Sequence, residues 1–174
     1  MITTSSFRRN VALALGVALI SAAGAGGAHA ICSSQGQELM RSLDGSWRGR
    51  GAVTPIGGAP ERVNCRVSYS TEGASRINQV VACAGTDYKI EASSRVTCVG
   101  NRLEGLFQEK IGNNTGRVTG DISSDRLNIE LDGPSFKGRF NVVFQGDAKH
   151  SVSITQFDPG KGRHVPVASM QLLR

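Results

Sequence analysis

From Ser46 to the C-terminus apolar side chains recur at every second position, in short runs broken by turn residues. A period of two belongs to strands with one buried and one solvated face, and a helix cannot satisfy it. Arg62–Tyr69 shows it cleanly: Val63, Cys65, Val67 and Tyr69 point one way, Arg62, Asn64, Arg66 and Ser68 the other. The pattern returns in Arg76–Ala84, in Tyr88, Ile90 and Ala92, and in Leu103, Gly105 and Phe107 of Arg102–Ile111. Val118, Gly120 and Ile122 follow, then Leu127, Ile129 and Leu131, and then Phe136, Gly138, Phe140, Val142 and Phe144. Val152 and Ile154 mark a further strand, and Val165–Leu172 the last. Thr71–Ser75, Gly112-Asn113-Asn114, Ser123–Asp125, Asp132-Gly133-Pro134 and Asp158–Gly162 turn the chain between runs. Asn113-Asn114-Thr115 matches a glycosylation acceptor, but at this place it reads as turn chemistry. Nine or ten short strands with tight connections predict an all-β antiparallel barrel or sandwich, with no crossover helices.

The segment before the first strand has helical spacing. Over Ser34–Leu43, Leu39, Met40 and Leu43 share a face, Ser34 stands at the cap, Gln37 at the capping-box position, and Gly45 beyond the end. Residues 1–30 read as an address. Arg8 and Arg9 form a positive start, Val11–Ala23 is an apolar run too short to span a bilayer, and Ala28-His29-Ala30 is an A-x-A cleavage signature. The expectation is a cleaved Sec-type signal peptide over residues 1–30 and one domain over 31–174, periplasmic or secreted and not membrane-spanning. Lipidation at Cys32 is disfavoured by the bulky Ile31 before it.

Four cysteines in an exported chain point to two disulfides. Reflecting the hairpin about Ala74 sets Val67 against Val81 and Cys65 against Cys83, because the buried face fixes the register. Cys65–Cys83 is therefore expected, with Cys32–Cys98 left by elimination. Removing Arg8 and Arg9 leaves 18 basic against 14 acidic residues, a net +4. Arg62, Arg66, Arg76, Arg95, Arg102, Arg117, Arg126 and Arg139 fall singly on different segments, the distribution of a solvated exterior and not of a nucleic-acid interface.

Gly45-Ser46-Trp47, at the head of the first strand and carrying the only tryptophan, resembles the G-x-W signature of the calycin superfamily of lipocalins, avidins and relatives. The resemblance implies a small closed barrel of about eight to ten strands with a short N-terminal helix. It also implies that Trp47 closes one end beside Gly45, with an arginine from near the last strand, here Arg174, stacked on its ring. Leu43–Gly49, Glu61–Val67 and Cys83-Ala84 before Tyr88 are similar to a family of short exported proteins of Gram-negative bacteria. Ligand binding is the calycin function, so the inward aromatics Trp47, Tyr69, Tyr88, Phe107, Phe136, Phe140 and Phe144 are the candidate lining for a small apolar ligand entering opposite Trp47. The same residues could instead fill the interior, and Gly105, Gly120 and Gly138 could bend the sheet or leave room. Small calycin-like barrels also include periplasmic protease inhibitors that act through an N-terminal segment, a part that Ile31–Gln37 would play.

No arrangement carries reaction chemistry. His150 and His164 lie after residue 30, both read as surface residues, and neither has a Cys or carboxylate at ligand or nucleophile spacing. No G-x-S-x-G occurs. Asp121, Asp125, Glu130 and Asp132 read as the polar face of one hairpin, and Gly160-Lys161-Gly162-Arg163 lacks the length and Ser/Thr of a phosphate loop. The expectation is a non-enzymatic binding protein for a small apolar ligand or an envelope partner, with no catalytic residue, metal, cofactor or nucleic acid.

Overall fold

The computed structural model describes residues 31–174, so the expected signal peptide lies outside the described residues. One helix, α1 (Ser34–Leu43), precedes ten strands: β1 (Gly45–Val53), β2 (Glu61–Glu72), β3 (Arg76–Ala84), β4 (Lys89–Val99), β5 (Arg102–Glu109), β6 (Asn114–Ser123), β7 (Arg126–Asp132), β8 (Lys137–Phe144), β9 (Lys149–Asp158) and β10 (Arg163–Leu173). Every strand pairs antiparallel with the next, and β10 returns to β1, so the meander closes into a barrel. Closure removes both sheet edges, which settles the choice between barrel and sandwich.

The hairpin register is the one the alternation demands, with Val67 opposite Val81 and Cys65 opposite Cys83. Both disulfides form as paired above, Cys65–Cys83 and Cys32–Cys98. The first ties neighbouring strands and the second ties the N-terminal segment to β4. Cys32 also makes a parallel bridge with Gly100, and Ser33 donates to the Gly100 carbonyl at 2.8 Å. Helix α1 has the expected bounds, but its cap is Ser33 in place of Ser34, the Ser33 Oγ accepting from the Gly36 N–H at 3.0 Å. Gln37 therefore does not complete a capping box, and its side-chain amide donates to the Cys32 carbonyl at 2.8 Å.

Leu39, Met40 and Leu43 of α1 are buried over one end of the barrel, hereafter the floor. The opposite end is the mouth. Gly105 and Gly120 decide between bending and vacancy: a Cβ would stand 2.1 Å from the Arg95 carbonyl oxygen at the first and 2.4 Å from that of Asn128 at the second. The backbone coils so tightly there that only glycine fits, so these two bend the sheet. At Gly138 the vacancy is filled instead, by the Phe136 ring at 2.5 Å from the same built position. On β10 the register slips between Pro166 and Ala168, a bulge at a residue that has no N–H to give the ladder.

Candidate functional site

The floor is built from the residues the G-x-W stretch supplies. Trp47 is 1 % exposed, and its indole N–H donates to the Leu43 carbonyl at 2.7 Å, joining β1 to the end of α1. The Arg174 guanidinium lies 4.9 Å above the indole centroid and donates to the Ser42 carbonyl at 2.9 Å and to that of Asp44. A cation there meets both the π face and the negative end of the helix dipole. Gly45 makes the turn from helix to strand at φ +119°, a conformation that side chains rarely adopt. Gly45, Trp47 and Arg174 lie together at this end of the barrel.

His150 completes the floor, against expectation. It is not a surface residue: it is 0 % exposed, with its ring 4.4 Å from Trp47, 5.6 Å from Phe144 and 6.2 Å from Tyr69. Neither ring nitrogen has a hydrogen-bond partner, and burial pushes its pKa down to about 4, so it sits there as a neutral imidazole. The signal for this burial was present, because His150 is in phase with Val152 and Ile154 on β9. His164 is half-buried on β10, edge-on to Phe157 at 5.7 Å.

The seven aromatics expected to line one pocket separate into groups. Trp47, Tyr69 and Phe144 surround His150 at the floor. Phe107 and Phe136 meet edge-on at 6.3 Å, Phe136 standing just before β8, and Phe140 follows Gly138 along the inner face of that strand. Tyr88 is half-buried just before β4, where burial, and then the charge of Glu109, push its phenol pKa up.

Above the floor the lumen changes character. Phe140, Ile154, Ala168 and Met170, from β8, β9 and β10, face the core yet remain half-buried. Val81 on β3 and Ile90 and Ala92 on β4 behave the same way. In the strand order β3 and β4 stand five places from β8 and β9, so these are opposite walls of the barrel. The walls are apolar, pack against the buried core and stay partly accessible.

A polar ledge crosses the inner surface between floor and lumen. Tyr69, Gln79, Ser94 and Phe107 are successive partners across β2, β3, β4 and β5. Ser94 Oγ donates to Gln79 Oε1 at 3.2 Å, and Gln79 Nε2 donates to the Tyr69 oxygen at 3.2 Å. Burial pushes the Tyr69 pKa up to about 12, so the phenol keeps its proton. Gln79 and Ser94 escaped the sequence reading, although both are in phase with apolar neighbours on their strands.

The remaining groups singled out in the sequence lie outside the lumen. Asp121, Glu130 and Asp132 are solvent-facing: Asp121 accepts from Asn128 at 3.0 Å, Glu130 pairs with Arg139 at 3.0 Å, and Asp132 with Lys137 at 3.4 Å. In the Gly160–Arg163 loop the Asp158 carboxylate accepts from the Gly160 N–H at 2.9 Å, so a built-in anion occupies the amide a phosphate would need. The start of Ile31–Gln37 is bound to the barrel by the contacts of Ile31, Cys32 and Ser33 with Cys98 and Gly100. Among the described residues no three His, Cys, Asp or Glu side chains gather as a metal site, and no helix is long and apolar enough to cross a membrane.

Protein-family models give no match to the chain, and neither do curated protein sequences. Solved structures do match. Rv2717c from M. tuberculosis superposes with a TM-score of 0.63 at 16 % identity, covering 82 % of this chain and 98 % of its own. The S-type phycobiliprotein lyase CPES from Guillardia theta gives 0.61 at 13 % identity, covering 79 % and 91 %. The chain therefore shares its fold, a closed ten-stranded antiparallel barrel, with these two structures.

Proposed function

We propose that the chain is a non-enzymatic, exported binding protein whose lumen takes a small, largely apolar ligand through the mouth opposite Trp47. The observation that carries this reading is the contrast along the barrel axis. The floor is sealed by Trp47, His150, Leu172 and α1, whereas apolar walls on opposite sides of the lumen stay half-buried. A barrel selected only for stability would fill that space, since unfilled volume costs dispersion and transfer energy. Phe107, Phe136, Phe140 and Met170 would hold the apolar body of the ligand. The ledge of Tyr69, Gln79 and Ser94 would orient a hydrogen-bonding group at its inner end, as a few placed polar groups do in such sites. One similar fold is a phycobiliprotein lyase, which is consistent with a barrel that accommodates another molecule. Two disulfides among the described residues support an oxidising compartment.

Native mass spectrometry on protein recovered from its own compartment tests the reading. An extra mass that disappears on denaturation is expected, and it should be lost in Phe140→Trp, which fills the lumen without touching the floor. A bare mass together with unchanged uptake of an apolar fluorescent probe in Phe140→Trp would count against a lumenal site.

A further inference from the structure

Where two charges face each other across β2–β3 and β5–β8 on the outer surface, they have opposite signs. Arg102 stands opposite Asp121, Arg117 opposite Asp132, Arg139 opposite Glu130, Lys137 opposite Asp132 and Arg76 opposite Glu72. Cross-strand neighbours of opposite sign stabilise a sheet and like signs destabilise it. Strands β1 and β2 break the rule. Arg48 stands directly opposite Arg66, and Arg50, two residues along β1, is diagonal to Arg66 and opposite Asn64.

Nothing beside these three guanidinium groups neutralises them. On the β10 side Arg48 and Arg50 face Leu173 and Gln171, and on the β3 side Arg66 and Asn64 face Ala82 and Ala84. Among the described residues none of the three makes an ion pair. Two further charges of opposite sign, Lys89 and Glu91 on β4, stand opposite Ala84 and Ala82, line the far side of the same face two strands from Arg66, and offset each other. Because Ala82 and Ala84 are short, the arginines stand beside a depression: a cleft of about 950 Å³ lined by Arg48, Arg50, Arg66, Ala82, Ala84 and Leu173, among others. The second cleft, about 660 Å³ over β5–β9, carries Arg102 and Arg139 beside Asp121 and Glu130, so its charges are matched internally.

We propose that the β1–β2 cleft is a docking site for an acidic polypeptide segment of a partner protein. Side-by-side guanidinium forks at cross-strand spacing suit successive carboxylates, each taken bidentately. The methyl floor of Ala82 and Ala84, with Leu173 52 % exposed at the margin, gives the segment's aliphatic carbons a surface. Single-stranded nucleic acid is disfavoured because the cleft offers no aromatic ring for base stacking. The site is on the outside of the wall and does not depend on the lumen being occupied.

The test is fluorescence anisotropy of a labelled twelve-residue Glu/Asp-rich peptide on the disulfide-intact chain. Arg48→Ala/Arg50→Ala/Arg66→Ala should weaken binding by about tenfold or more. Arg102→Ala/Arg117→Ala/Arg139→Ala, with the same change in net charge, should weaken it less than about twofold. The milder pair Arg48→Gln/Arg66→Gln repeats the measurement with the side-chain bulk retained. Equal losses in the two triples would reduce the effect to net charge and overturn the proposal, as would no binding by the unaltered chain at about 100 μM. A dT12 oligonucleotide bound more tightly than the peptide, and lost with the same triple, would overturn the choice of occupant.

Discussion

His150 makes the stability of this barrel depend on pH in a window where few other groups titrate. The imidazole is buried among Trp47, Tyr69 and Phe144 with no partner on either nitrogen, and its pKa is about 4 against an ordinary 6.5. In the unfolded chain it takes up a proton below pH 6.5, while the folded chain refuses one until about pH 4. Between those values the unfolded state binds more protons, so stability falls as pH falls. The slope for one proton is about 1.4 kcal/mol per pH unit, and a displacement of about 2.5 units amounts to roughly 3 kcal/mol over the window. At pH 4.5 about 2.5 kcal/mol of that should already be gone, a large share of a typical domain's 5–15 kcal/mol.

The assay is urea unfolding followed by far-UV circular dichroism from pH 7.5 to 4.5, for the unaltered chain and for His150→Leu. Leucine has similar bulk and no proton to take. At pH 7.5 the variant should lie within about 1.5 kcal/mol of the parent, since it loses ring-edge contacts with Trp47 but also two unsatisfied nitrogens. At pH 4.5 it should have gained about 2.5 kcal/mol relative to the parent. Carboxylates such as Glu72, held below its ordinary pKa mainly by hydrogen bonds from Arg76 and Asn78, titrate in both proteins and cancel in the difference. Parallel stability curves across the whole range would refute the reasoning, because they would mean that His150 meets water or a hydrogen-bond partner in the fold.

Three further outcomes follow from the geometry. Arg174→Ala removes the stack on Trp47 and the donor to the Ser42 carbonyl; a loss of about 1–3 kcal/mol in urea and a shift in Trp47 emission are expected. Replacing Cys32 and Cys98 together by Ala opens a loop closed over 66 residues, worth about 4 kcal/mol in the chain-entropy model. Since that bridge anchors the segment before α1, Trp47 emission should change at lower urea than the far-UV signal does. Tyr69, with its pKa pushed to about 12, should stay un-ionised at the pH near 10 where a free phenol titrates. The stability it contributes is present below pH 10 and is lost between about 10 and 12, visible as a delayed step at 295 nm that Tyr69→Phe abolishes.

The barrel was legible because strand period, turn chemistry and cysteine register all depend on local sequence. Val67 against Val81 and Cys65 against Cys83 needed only the position of one turn. His150, Gln79 and Ser94 were missed for a common reason: alternation was traced through apolar residues alone, so a polar residue in phase marked the end of a strand or an outward position. His150 stands one period before Val152, and β9 begins at Lys149. Phase, not polarity, decides which side of a barrel wall a side chain occupies. The partition of the aromatics was not legible, because how far along the axis each one sits depends on the stagger of ten strands around the closed sheet.

That stagger also explains why the arginines looked scattered. Arg62 and Arg66 are separated from Arg48 and Arg50 by a dozen or more positions in the chain, and only the β1–β2 register makes Arg48 and Arg66 neighbours. Each strand thus carries two independent messages in alternate residues. The inward phase of β1, β2 and β3 supplies Trp47, Tyr69 and Gln79, and is constrained by packing and by the floor. The outward phase of the same strands supplies Arg48, Arg50, Arg66, Ala82 and Ala84 and is free of that constraint. Where β6–β8 use the outward phase to match charges, β1 and β2 leave an unmatched cluster whose mutual repulsion the fold must offset elsewhere. A barrel wall can bear such a cluster because closure and two disulfides hold the strands in register regardless of what the outer side chains do. The inner and outer sites can therefore change separately, and a substitution at Arg66 should leave the lumen as it is.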